Sequence, residues 1–128
     1  MPTVDDAARL ALDLPEATEA SRYGNRAWSV VGKAFAWERP FSKADLKRFG
    51  TVAPPTGLIL AVRVADLSEK EAVLAASPAA FFTIPHFDGY STVLIKLDMV
   101  TLKALREAIG DGWLACAPPP LAQRYLDR

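Results

Sequence analysis

The chain has 128 residues, of which 51% are hydrophobic, and its 15 basic residues balance its 15 acidic residues. This composition fits one globular domain over residues 1–128 and excludes a disordered chain, while the neutral total weakens long-range attraction to nucleic acid. A single cysteine, Cys116, excludes an intramolecular disulfide, and no run approaches the roughly 18 apolar residues of a membrane span. We expect a cytoplasmic protein with no export signal and no membrane partner.

The first elements along the chain are a predicted helix and a predicted strand. Residues 4–14 carry alanine and leucine at helical spacing, Thr3 is a suitable N-cap, and Pro15 ends the segment. Residues 17–23 predict a short strand that ends at a Gly-Asn turn.

A hairpin and a short helix are predicted next. Residues 27–31 and 33–38 are extended runs joined at a glycine, with aromatic side chains alternating along both. Ser42 followed three residues later by Asp45 is typical of a helix N-terminus, so we expect a helix that ends at Gly50.

The middle of the chain predicts a buried strand and another capped helix. Every second residue from Leu58 to Val64 is aliphatic and would face the core, whereas Arg63 falls on the opposite face. Ser68 and Glu71 have the spacing of a capping box, which predicts a helix over residues 69–76.

The last third predicts two strands followed by two helices. Residues 81–84 and 90–97 are strands in this interpretation, and an Asp-Gly pair supplies a tight connection. A helix over residues 100–109 would end at Gly110, and a short helix over residues 121–126 would follow. The whole pattern predicts an α+β fold.

Basic residues are concentrated in one part of the chain. Residues 20–50 carry seven basic and two acidic side chains, whereas residues 1–19 carry one basic and five acidic side chains. A local basic surface can contact phosphates even in a neutral chain. An ordinary solvated surface explains the same charges. The candidate phosphate contacts are Arg22, Arg26, Lys33, Arg39, Lys43, Lys47 and Arg48.

Aromatic residues accompany this basic segment. Trp28, Phe35 and Trp37 can form a stacking platform beside basic side chains, as in proteins that bind single strands. Core packing explains the same alternation, because aromatic residues on half-buried strands usually face inward.

The only histidine invites a chemical interpretation. His86 has Asp88 two residues on, and a neighbouring carboxylate can orient an imidazole. A structural role in the turn between two strands explains the same residues, and no metal-ligand spacing, phosphate loop or nucleophile motif accompanies them. We therefore expect a binding protein with no catalytic residues, metal or cofactor, with an enzyme using His86 and Asp88 as a minor alternative.

Four segments, taken in order, resemble the MmcQ/YjbR family of small bacterial proteins: LDLPEATEASRYGNRAWSVVGKAFAWERP, KADLKRFG, FFTIPHFDGYSTVLIKLD and WLACAPPPLAQRYL. This resemblance covers nearly the whole chain. It implies an α+β fold in which an antiparallel sheet packs against helices in two layers, similar to the CyaY-like or secretion-chaperone-like arrangement. It also implies DNA binding through a double wing of hairpins. The chain departs from the family at Pro119 and Pro120, where relatives often carry a basic residue.

Two functional hypotheses follow. The leading one is weak, sequence-independent DNA binding in which arginine and lysine side chains of residues 20–50 neutralise phosphates. The alternative is a protein-interaction or small-ligand module whose exposed aromatic surface recognises a peptide, a second copy of the chain or an apolar compound.

Overall fold

A computed structural model of the chain describes residues 2–128, in which a six-stranded sheet is combined with five α-helices. The α+β prediction is confirmed. In chain order the elements are α1 (Val4–Leu12), β1 (Ala17–Arg22), β2 (Asn25–Val30), β3 (Lys33–Glu38), α2 (Lys43–Phe49), β4 (Ile59–Arg63), α3 (Leu67–Ala76), β5 (Phe81–Phe82), a 3₁₀ helix (Pro85–Phe87), β6 (Thr92–Lys96), α4 (Leu102–Cys116) and α5 (Pro119–Leu126).

The sheet is antiparallel throughout, with the strand order β1-β2-β3-β4-β6-β5. Two tight turns connect β1 to β2 and β2 to β3. Tyr23 and Gly24 have φ values of 53° and 80°, and Val31 and Gly32 have φ values of 46° and 79°. Positive φ at both central residues is the geometry that matches the twist of a two-residue hairpin. A β-branched residue rarely adopts it, so Val31 is strained.

One face of the sheet is covered by helices. Its core contains Trp28, Leu60, Ile95 and Trp113, each at most 1% exposed, and residues of all the helices except α2 pack into it. Side chains opposite one another on neighbouring strands lie on the same face of the sheet. The core on this face therefore extends across the sheet from β1 to β5.

A bulge in β3 corrects one expectation about the aromatic residues. Trp28 pairs with Ala36 and Ser29 pairs with Ala34, which leaves Phe35 as an extra residue. The extra residue turns Phe35 into the helix-covered core, whereas Trp37 lies on the opposite face with Ala61. Simple alternation predicts that Phe35 and Trp37 lie on the same face of the sheet. In the structure they lie on opposite faces.

The other face of the sheet is only partly covered. There α2 and the 3₁₀ helix enclose a smaller apolar cluster over β4, β6 and β5, which includes Ile59, Ala61, Phe87 and Leu94. The helix contacts of β1, β2 and β3 are mainly with α1 and α4 on the helix-covered face, although Trp37 of β3 packs against the edge of the smaller cluster. The fold thus leaves a stretch of sheet open beside α2.

The predicted caps of α1 and α2 are confirmed, since Thr3 and Ser42 each form a capping box. The predicted start of α3 is wrong by two residues. Asp66 is its N-cap and accepts a hydrogen bond from the N–H of Glu69 at 2.8 Å. At the N-cap position, an aspartate carboxylate accepts a hydrogen bond from a free N–H of the first helical turn as well as a serine hydroxyl does.

The predicted end of α4 is also wrong, because the helix continues through Gly110 to Cys116. Ile109, Trp113 and Cys116 follow at helical spacing and are buried, so tertiary packing offsets the low helix propensity of glycine. Helix α5 begins earlier than predicted, at Pro119, because proline suits the first helical turn.

The strands near the histidine are shorter than predicted. β5 contains two residues and β6 begins at Thr92, because the 3₁₀ helix occupies the connection that we expected to be a tight turn. Leu58 is 55% exposed rather than in the core, since β4 begins one residue later.

Candidate functional site

The open part of the sheet forms a groove of about 990 Å³. Ala27 and Trp37 face each other across β2 and β3 in its middle. Arg22 and Asn25 lie at one end, and Lys33 and Ala34 lie at the other, together with Arg63, Val64 and Cys116. The groove has the size of a small-molecule site and a basic side chain at each end.

Two cations meet at the β3–β4 end of the groove. Ala36 pairs with Val62, so Arg63 and the residues after it run beside the start of β3, where Lys33 lies. Both side chains are exposed, and neither is in an ion pair in the part of the chain that the structure describes. Their charges are therefore available to an external anion.

Cys116 lies at this end of the groove, 8% exposed, with its Sγ atom 3.8 Å from the carbonyl oxygen of Ala34. Burial raises the pKa of the thiol, and the opposing effects of Arg63 and Lys33 are smaller. The thiolate, which is the nucleophilic form of cysteine, is therefore disfavoured at this position.

At the other end, Arg39 is held by a buried carboxylate. Its guanidinium lies 2.9 Å from Oδ2 of Asp45, donates to the carbonyl of Pro40 and stands 5.4 Å from the ring centre of Phe87. Burial opposes ionisation of Asp45, but the Ser42 N–H and the Arg39 guanidinium outweigh it and lower the pKa of the carboxyl. Arg39 is therefore fixed in place and partly neutralised.

Replacing Asp45 by Asn should lower the free energy of unfolding by about 2 kcal/mol at pH 7, because Arg39 loses its charged partner. The folded pKa of Asp45 lies below the unfolded one, so this stabilisation is complete above the unfolded pKa and is lost as pH falls through the folded pKa. Urea unfolding of both proteins should thus show a difference that shrinks in acid. A difference that is constant with pH would contradict the role of the charge.

Arg26 is neutralised on the helix-covered side. Its guanidinium lies 2.9 Å from Oε1 of Glu19 and 2.8 Å from Oδ1 of Asp5, and these hydrogen bonds raise its pKa. Glu19 also accepts a hydrogen bond from the Trp28 indole at 2.9 Å. Arg26 therefore joins β2 to β1 and α1, which makes it a weaker candidate for phosphate contact than its exposed neighbours.

The remaining basic candidates are on the surface. Lys43 and Lys47 are one turn apart on α2, and both are exposed, while Asp45 and Phe49 of the same helix pack toward the sheet. Arg48 is exposed as well. The candidates that have no acidic partner among residues 2–128 are Arg22, Lys33, Lys43, Lys47 and Arg48.

Of the two interpretations of the aromatic residues, core packing is confirmed for two of the three, and the stacking platform fails for the same two. Trp28 and Phe35 are fully buried in the helix-covered core. Trp37 is half-buried and lines the groove. The sequence-based candidates omitted Arg63, although its position opposite the aliphatic residues of β4 was the signal that could have identified it.

The segment around the histidine lies outside the groove. His86 is an exposed residue of the 3₁₀ helix, with its ring 4.8 Å from that of Phe87, and Asp88 follows in the turn. The Nζ atom of Lys70, which is 7% exposed, donates to the carbonyl oxygens of Phe87 at 2.7 Å and Tyr90 at 2.8 Å. A buried lysine from α3 thus holds this turn, a role that sequence reasoning missed.

Within residues 2–128 the histidine, cysteine, aspartate and glutamate side chains form no group of three or more that could hold a metal ion. None of the helices in this part of the chain has the length and apolar character that a membrane crossing requires.

Known proteins resemble the chain in sequence and in fold. The uncharacterized proteins Rv2570 of Mycobacterium tuberculosis (strain ATCC 25618 / H37Rv) and Mb2600 of Mycobacterium bovis are each 43% identical to it over 129 residues, covering 98% of this chain and 97% of theirs. The crystal structure of Deinococcus radiodurans protein DR2400, with a DUF419 domain, superposes with a TM-score of 0.63 at 21% identity. That match covers 89% of this chain and 78% of the other, and it shows a shared fold. A family model described as YjbR matches residues 12–115, so the chain belongs to the YjbR family.

Proposed function

We propose that this protein acts by binding, without catalysis, and that it contacts DNA phosphates independently of sequence. The observation that carries the proposal is the set of five exposed basic residues with no acidic partner in residues 2–128, which are Arg22, Lys33, Lys43, Lys47 and Arg48. A cytoplasmic location, where bacterial DNA is accessible, belongs to the same proposal.

The placement of these residues supports the proposal. α2 packs on the side of the sheet that carries the groove, and the exposed residues Arg22 and Lys33 line the two ends of that groove. Glu38, the acidic residue among those that line the groove, accepts a hydrogen bond from the N–H of Arg26 at 2.6 Å. This carboxylate is thus engaged within the protein, and the basic residues that line the groove outnumber it.

The hairpin tips add a second kind of support. They lie at opposite ends of β2, a separation of about 20 Å at the usual rise of a strand. Tyr23 at one tip and Val31 at the other are 102% and 60% exposed. Arg22 and Lys33 flank these tips, so each hairpin presents one basic side chain beside one exposed tyrosine or valine.

Duplex affinity should fall steeply with salt. If all five side chains neutralise phosphates, log K should fall against log[salt] with a slope of about −4.5, a loss of two to three orders of magnitude between about 50 and 200 mM salt. Charge reversal by Lys43→Glu with Lys47→Glu should flatten that slope by about two. Fluorescence anisotropy of a labelled duplex of arbitrary sequence measures both quantities.

A matched control is available on the helix-covered side. Lys103 and Arg106 are exposed residues of α4, and reversing both changes the net charge by the same amount. This control should keep the slope of the unmodified protein. Equal slopes in the two double variants would mean that net charge, and not the position of the lysines, determines the salt dependence. No measurable binding at low salt would contradict the DNA proposal.

A further inference from the structure

The β3–β4 end of the groove contains two like charges without a counter-ion. Lys33 and Arg63 both line this end of the groove, together with Cys116, whose thiol lies within reach of both charges. In the described residues 2–128 neither side chain has an acidic partner, and the side-chain contact that Arg63 makes is with the thiol of Cys116. Two neighbouring cations repel each other, and an anion placed between them relieves that repulsion.

The body of the groove next to this pair is apolar. The small side chains of Ala27 and Ala34 line the floor of the groove, and the half-buried indole of Trp37 lies beside them. The indole N–H groups of Trp28 and Trp113 donate to protein oxygens at 2.9 Å and 3.0 Å, whereas that of Trp37 has no such partner in residues 2–128. The groove therefore combines an apolar surface with one free hydrogen-bond donor.

From this arrangement we infer that the groove is a binding site for an amphiphilic organic acid. The acid group, a carboxylate or a phosphate monoester, lies between Lys33 and Arg63, and an apolar body extends along Ala27 and the face of Trp37. The volume of about 990 Å³ accommodates a molecule of that size. Charge complementarity selects the acid, because the one acidic residue lining the groove, Glu38, lies at the other end of β3 from Lys33.

This inference goes beyond DNA binding and does not depend on it. Lys33 takes part in both proposals, whereas Arg63 belongs to the small-molecule site alone and is not among the five residues assigned to phosphates of DNA. Lys43 and Lys47 carry the DNA surface and do not line the groove. The two proposals can thus fail separately.

Decanoate, decyl phosphate and decanol are suitable probes, because they share an apolar chain and differ in the head group. Each is titrated below its aggregation concentration into the full chain, with the three indole N–H signals followed by NMR. Since Trp28 and Trp113 are fully buried, binding in the groove should shift the signal of Trp37 selectively. Either acid should bind at least about tenfold more tightly than decanol, the loss expected for one charge-assisted hydrogen bond. The tighter acid identifies the head group.

The variant that tests the cation pair is Lys33→Ala with Arg63→Ala. Both residues are exposed, so the fold should be retained, and affinity for the acids should fall about ten- to a hundredfold while affinity for decanol stays unchanged. Lys43→Ala with Lys47→Ala removes the same charge from α2 and should leave acid binding intact.

Three results would overturn the inference: decanol binding as tightly as both acids, equal weakening of acid binding in the two double variants, or no shift at Trp37 with any probe. Loss of acid binding in the groove variant together with a salt-independent or absent DNA signal would remove only the DNA proposal.

Discussion

Trp113→Ala should lower the free energy of unfolding by about 3–5 kcal/mol, which is the usual effect of truncating a buried tryptophan. The side chain is fully buried, lies 4.8 Å from the ring of Tyr125, and donates its N–H to the carbonyl oxygen of Pro15 at 3.0 Å. It thereby joins α4 to α5 and to the segment that follows α1. Urea unfolding followed by circular dichroism measures the change.

The matched variant Trp113→Phe separates packing from hydrogen bonding. It keeps most of the buried ring but leaves the carbonyl of Pro15 without its donor, so a smaller loss of about 1–3 kcal/mol is expected. Because domains of this size are stable by only about 5–15 kcal/mol, the alanine variant should have little stability left. A loss below about 1 kcal/mol in Trp113→Ala would contradict the packing described for this residue.

Gly112→Val should lower the free energy of unfolding by about 3 kcal/mol, because α4 lies close to the sheet at this glycine. A Cβ at Gly112 would stand 2.8 Å from Cγ1 of Val62 and 3.1 Å from the carbonyl oxygens of Arg63 and Phe35. Two of these neighbours are backbone atoms, so the helix must move away from the sheet. Thermal and urea unfolding should both show the loss.

Gly110→Val is the control in the same helix. A Cβ there meets nothing within 4 Å, and valine has a somewhat better helix propensity than glycine, so stability should change by less than about 0.5 kcal/mol. The same substitution two residues apart should therefore have very different effects. Similar losses at both positions would contradict the close approach of α4 to the sheet at Gly112 as the cause of the loss.

The close approach at Gly112 also bears on the groove. Helix α4 ends at Cys116, beside Lys33 and Arg63, and its position is set by the contact between Gly112 and β4. A helix displaced at Gly112 would move the wall of the groove at its cationic end. The packing of the helix layer on one face of the sheet thus shapes a site that opens on the other.

Local interactions are what the sequence by itself determined. The caps at Thr3 and Ser42, the two Gly-containing hairpin turns and the alternation along β4 depend on residues a few positions apart, and the family motifs predicted the antiparallel α+β architecture. For the same reason the charge asymmetry of residues 20–50 was visible without a structure.

Tertiary contacts decided the rest. The length of α4 depends on burial of Trp113 against distant elements, and the bulge at Phe35 moves that ring away from Trp37 into the opposite face of the sheet. The pairing of β3 with β4 brings Arg63 beside Lys33, thirty positions apart in the chain. Periodicity cannot reveal such contacts. A basic side chain is neutralised, as Arg26 is, only where another element brings an acidic side chain to it, and that depends on how the elements pack.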